Sequence, residues 1–155
     1  MESAISDAAL FYKKLGEELI GTCATYVDDS LHAGNEKYQE ITKITEEKFK
    51  CKNREYDDLQ FSGLEIETKN NEFCAHQKRY ISKLKRIPET ANFSEFRSTR
   101  AKLACISNSR PDISCPVAKL TQVTEEKYEK NQKSYIIKIN DILNHLEEYK
   151  DLVLK

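Results

Sequence analysis

The chain predicts an α+β fold, on three observations. Short runs of β-branched and aromatic residues separated by turn residues occupy the chain up to residue 76. From residue 77 apolar residues recur at threes and fours instead. An apolar run in the first part ends directly on two adjacent carboxylates, Asp28 and Asp29.

The first part reads as a partial antiparallel sheet with one helix. Residues 9–13 (ALFYK) and 19–27 (LIGTCATYV) are strand-like, and the intervening LGEE is turn-like, which predicts a hairpin. SLHAG after Asp29 reads as a returning strand, and Asn35 as the cap of a helix of about 15 residues. Tyr38, Ile41, Ile44 and Phe49 fall in one broad arc of that helix and are expected in the core. LQFSGLEIE (59–67) reads as one strand whose phase slips at Gly63, suggesting a bulge. Asn70-Asn71 suit a tight turn back into EFCAH.

The second part reads as helical. Tyr80, Ile81, Leu84 and Ile87 share a face until Pro88 ends the run. Ser94 is placed to cap a helix carrying Phe96, Leu103 and Ile106, and Pro111 to open another with Ile113, Val117 and Leu120 inward. Thr124, followed by Glu125 and Glu126, opens a long last helix with an apolar stripe through Tyr128, Tyr135, Ile139, Ile142, Leu146 and Tyr149. The domain division expected is therefore 1–76 and 77–155, with no linker, repeat or low-complexity segment.

Composition excludes several classes. With 155 residues, 33% of them charged and 39% hydrophobic, no run approaches the roughly 20 apolar residues of a membrane helix, so no membrane partner is expected. The N-terminus lacks the basic-then-apolar order of a secretory signal, which predicts an intracellular protein. The five cysteines are odd in number, widely spaced and without CxxC, so neither a disulfide framework nor a zinc site is expected, and the three histidines lack ligand spacing. Net charge is −1, yet nine basic residues face only Glu89 and Glu95 between Lys78 and Arg110. That asymmetry marks either a footprint for a polyanion or the solvated faces of ordinary helices.

Asp28 and Asp29 carry the chemistry. In a tight turn between two buried strands, neighbouring aspartates project together from one end of a sheet. Mg²⁺ (or Mn²⁺) takes hard oxygen donors and is held by one or two carboxylates plus substrate phosphates; two such ions clamp a phosphoryl transfer. One loop is not a complete site, since a second strand must add a carboxylate. Asp57-Asp58 lies in a polar stretch and serves as an internal comparison that predicts only solvation.

Tyr26–Asp29 (YVDD) resembles the YxDD signature of reverse transcriptases, and the flanks resemble the copia type of retrotransposon. The segments are DAALFYK (7–13), LIGTCATYVDDSLHAGN (19–35), FKCK (49–52), FSGLEIE (61–67), HQKRYISKL (76–84) and FRSTRAKLACISNSRPDI (96–113), in family order over nearly the whole chain. The resemblance implies a partial palm at 1–76 and a helical thumb-like subdomain at 77–155. It implies metal binding and catalysis at Asp28, with Asp29 beside it. It implies primer or template contacts at Tyr26, Val27, Phe61 and Gly63, and grip on the nucleic-acid backbone by Lys78, Arg79, Lys83, Lys85 and Arg86. Arg110, Pro111 and Asp112 match its RPDI and are expected to be structural.

The departures are equally specific. The family's other catalytic aspartate and its fingers lie upstream of YxDD, where this chain has only 25 residues. Ala101 stands where the family usually has Gly, and Ser62 where a large apolar residue is usual. The expectation is a fragment of an RNA-directed DNA polymerase, inactive alone, with a template–primer, and an upstream polymerase fragment, as partners. The alternatives are a non-catalytic remnant that binds nucleic acid through the basic helices, and an interaction module using its last amphipathic helix. An uncovered palm edge further predicts marginal stability or self-association.

Overall fold

Local sequence preferences account for most elements of the computed structural model, which describes residues 1–51, 54–56, 58–69 and 72–154. The Asn70-Asn71 turn, Lys52 of the FKCK segment and Asp57 of the comparison pair lie outside the described residues. The fold is α+β, with antiparallel sheets, and the chain forms two compact units, Met1–Gly63 and Leu64–Lys155. The pattern changes at residue 77, whereas the units part between Gly63 and Leu64, so the strands just before 77 group with the helices.

In the first unit, β1 (Glu2–Ser3), β2 (Leu10–Leu15), β3 (Glu18–Tyr26) and β4 (Asp29–Gly34) form an antiparallel sheet in that order. Gly16 takes φ 64° in the β2–β3 turn, a conformation glycine adopts without penalty. Helix α1 (Glu36–Phe49) begins at Asn35, whose side chain accepts from the Tyr38 amide, and stops at Lys50 in the left-handed region. Its rotation departs from the expectation. Tyr38 and Thr42 are buried, while Ile44 and Phe49 are 67% and 71% exposed. The cause is a slot in the sheet. Gly21 and Gly34 face each other across β3 and β4, and the Tyr38 ring fills the space their missing side chains leave. With Tyr38 fixed, Ile44 lies about 120° round the helix and Phe49 sits in the last turn.

A short strand, β5 (Leu59–Phe61), closes the first unit. Ser62 and Gly63 then both take positive φ, 50° and 79°. The single strand with a bulge expected at 59–67 is therefore two strands with a two-residue turn between them. Two successive left-handed residues end the pleat, as in a type I′ turn.

In the second unit, β6 (Leu64–Lys69) pairs with β7 (Glu72–His76), and Leu154 bridges back onto Ala75. α2 covers only Lys78–Ile81, not the longer helix expected to Ile87. Pro88 restricts Ile87 to an extended conformation. The Asn140 side chain replaces the helical bonds there: its Oδ1 accepts from Ile87 N and its Nδ2 donates to Ile87 O, both at 3.0 Å. α3 (Phe93–Ile106) is capped by Asn92, not Ser94. Asn92 and Glu95 form a reciprocal capping box, with bonds of 3.0 and 2.8 Å.

A 3₁₀ turn at Pro111–Ile113 leads into α4 (Ser114–Thr121), and Thr124 caps α5 (Glu125–Glu148), which kinks at Asn131. The core gathers Phe96, Leu103 and Ile106 of α3, Ile113, Val117 and Leu120, and Tyr128, Ile139, Ile142 and Leu146 of α5. Phe96 and Tyr128 rings lie 4.7 Å apart, and the Tyr128 hydroxyl donates to Ala91 O at 2.6 Å. Tyr149, expected to extend the stripe, is the α5 cap and half-exposed. No described helix is long and apolar enough to cross a membrane.

Candidate functional site

The β3–β4 hairpin ends in a two-residue turn, because Tyr26 and Asp29 are register partners and leave Val27 and Asp28 between them. Val27 takes φ 53° and is 88% exposed. A β-branched residue there is strained, and such strain clusters at functional sites. Asp28 and Asp29 are both exposed beside it.

The two aspartates line a cleft of about 830 Å³ within the first unit. Its walls include Phe61, Ser62 and Gly63 from the turn after β5, Tyr38 and Glu46 from α1, and Arg54 and Tyr56 from the following segment. Four of the site residues expected from sequence, Asp28, Asp29, Phe61 and Gly63, thus share one cleft. Tyr26 and Val27 stand exposed at the hairpin tip. The basic residues belong to the second unit.

One wall is a polar network that sequence reasoning missed. His32 Nδ1 lies 3.0 Å from the Tyr38 hydroxyl, and its Nε2 lies 3.0 Å from Ser30 Oγ and 3.7 Å from Cys23 Sγ. Burial dominates its electrostatics. It lowers the His32 pKa, raises that of the Cys23 thiol and pushes Tyr38 up to about 12. Burial thus favours the uncharged form of each member, and their hydrogen bonds orient the side chains of this wall. Beside it Arg54 pairs with Glu46 at 2.8 Å and lies 4.8 Å over the Tyr56 ring. The legible signal was the glycine pair flanking YVDD, which marks where an aromatic ring must sit.

The donor set at the hairpin fits part of a hard-cation site. Two carboxylates on one turn are suitable oxygen donors. Among the described residues no three His, Cys, Asp or Glu side chains come together as a metal-binding group. Asp28 and Asp29 would supply two of the oxygen donors that such a cation takes.

Many basic residues of the second unit have structural partners. Lys78 pairs with Asp151 at 3.2 Å, and Arg79 Nε lies 3.4 Å from Glu65. Arg86 Nε donates to Asn144 Oδ1 at 2.7 Å. Arg100 donates to Leu120 O and Val123 O, satisfying carbonyls at the end of α4. Arg110 is 3% exposed, donates twice to Asp112 and reaches Tyr149 O at 3.0 Å. Asp112 in turn lies 2.8 Å from His145 Nε2. The side chains of Lys83, Lys85, Arg97 and Lys102 are exposed and make no hydrogen bond or ion pair among the described residues. No protein-family model, characterised protein or solved structure matches the chain.

Proposed function

We propose that the chain is a fragment of an RNA-directed DNA polymerase of the copia retrotransposon type, contributing hairpin carboxylates and a basic surface to a template–primer. The observation that carries this reading is the cleft that Asp28 and Asp29 share with Phe61 and Gly63. A strained, exposed residue at the tip of a carboxylate hairpin is what presentation to a large substrate calls for. Asp28 and Asp29 would hold Mg²⁺ or Mn²⁺, which when bound neutralises phosphoryl oxygens. In this reading a carboxylate from another polymerase fragment completes the site, so the chain alone does not polymerise.

A second reading, nucleic-acid binding without catalysis, is favoured by Lys83, Lys85, Arg97 and Lys102, whose exposed side chains make no hydrogen bond or ion pair among the described residues. Such contacts to phosphates are sequence-independent and weaken with salt. Use of α5 as a partner helix is disfavoured, because Ile136, Ile139, Ile142 and Leu146 are buried in the chain's own core.

Paramagnetic broadening tests the metal role. With Mn²⁺ and an RNA–DNA hybrid present, amide signals of residues 26–30 should broaden first, and Asp28→Asn should abolish the effect. Broadening that ignores the substitution would remove Asp28 from the proposal.

A further inference from the structure

We infer that the cleft between α4 and α5 is a binding site for a small organic anion with a flat apolar body, such as an aromatic carboxylate. The cleft encloses about 500 Å³, within the range of small-molecule pockets. Its lining is mostly apolar: Ile113, Leu120 and Ile142 are buried core residues, and the Tyr135 ring joins them. Few polar groups converge on it, as a site that recognises shape and one charge requires.

The charged side chains of the lining specify the ligand's charge. Lys119 and Lys138 both line the cleft, and neither makes an ion pair among the described residues. The Lys138 ammonium instead lies 5.3 Å from the Tyr135 ring centroid. Asp141 is the one carboxylate in the lining, so the two lysines outnumber it there. His145, also in the lining, is engaged by Asp112 at 2.8 Å. A carboxylate beside the lysines would gain charge-assisted bonds while its apolar body lies against Pro116 and the Tyr135 ring. Length argues against a helical peptide as occupant. α4 has eight residues, about 12 Å, too short to flank more than two turns of a partner helix.

The test is an NMR titration of the full chain with 2-naphthoate, read at backbone amides. Saturable shifts confined to α4, the preceding 3₁₀ turn and the middle of α5 are expected. The uncharged 2-naphthamide should bind at least about tenfold more weakly, as should 2-naphthoate to the Lys119→Gln, Lys138→Gln double variant, since a hydrogen bond to a charged group is worth about that factor or more. Shifts that never saturate, scatter over the surface, or respond equally to acid and amide would overturn the inference. The acid–amide comparison uses the unaltered chain, so it decides the matter even if the double variant fails to fold.

Discussion

A Cβ built on Gly34 would meet the Tyr38 ring at 2.4 Å and the Ile20 carbonyl oxygen at 2.7 Å, and one on Gly21 would meet that ring at 2.1 Å. Gly34→Ala should therefore destabilise the first unit by about 1–3 kcal/mol, the usual cost of overpacking. The urea midpoint should fall with its slope unchanged. Gly16→Asn is the control: its Cβ meets nothing within 4 Å, and Asn tolerates positive φ, so the midpoint should hardly move. Equal midpoints for Gly34→Ala and the parent would show that Tyr38 does not set the position of α1. Asp112 gives the corresponding prediction in the second unit. The bidentate Arg110 guanidinium beside it, with smaller help from His145, holds its pKa near about 2 against an ordinary 3.8. A carboxylate lowered on folding adds stability that is complete above its unfolded pKa and disappears as pH falls through the folded value. Stability should thus drop by about 1–2 kcal/mol between roughly pH 4 and pH 2, discounted for partial exposure. Asp112→Asn should flatten that segment of the curve, measured by denaturation at stepped pH.

Elements were legible where local chemistry alone decides them, and illegible where a distant partner does. Asn35 and Thr124 cap α1 and α5 as their residue types imply, and the hairpin around Asp28-Asp29 follows from charge interrupting an apolar run. The rotation of α1 was not visible in its own periodicity, because the glycine slot that fixes Tyr38 lies in other elements. The short α2 was likewise hidden. Its apolar spacing suits a helix, yet Asn140, 53 residues later, takes both backbone groups of Ile87. Asn140→Ala should leave those groups unpaired beside the core and lower the second unit's stability by about 1–3 kcal/mol. Amides near Ile87 should then exchange faster with deuterium than in the parent. Protection unchanged at Ile87 would mean that another partner holds the segment. The cap of α3 went to Asn92 because its own amide can be repaid by Glu95, a reciprocity that Ser94 cannot match at its position.

On the scale of the molecule, the two groups of candidate residues fall in different compact units: the carboxylate hairpin and cleft in Met1–Gly63, the basic residues from Lys78 to Arg110 in Leu64–Lys155. Sequence made both groups visible, one through YVDD and one through charge asymmetry. It did not separate basic residues with structural work from those without, since that distinction depends on partners such as Asn144, Leu120 and Tyr149, far along the chain. Lys83, Lys85, Arg97 and Lys102, whose side chains make no hydrogen bond or ion pair among the described residues, are the ones on which the proposed contact with phosphates is tested. The most direct test is the salt dependence of RNA–DNA hybrid binding, followed by fluorescence anisotropy, for the parent chain and a variant with those four residues changed to Gln. Binding at low salt that weakens steeply as salt rises is expected, with a log–log slope shallower by about three in the variant. Absence of binding at low salt, or the same slope in both proteins, would contradict the proposed contact.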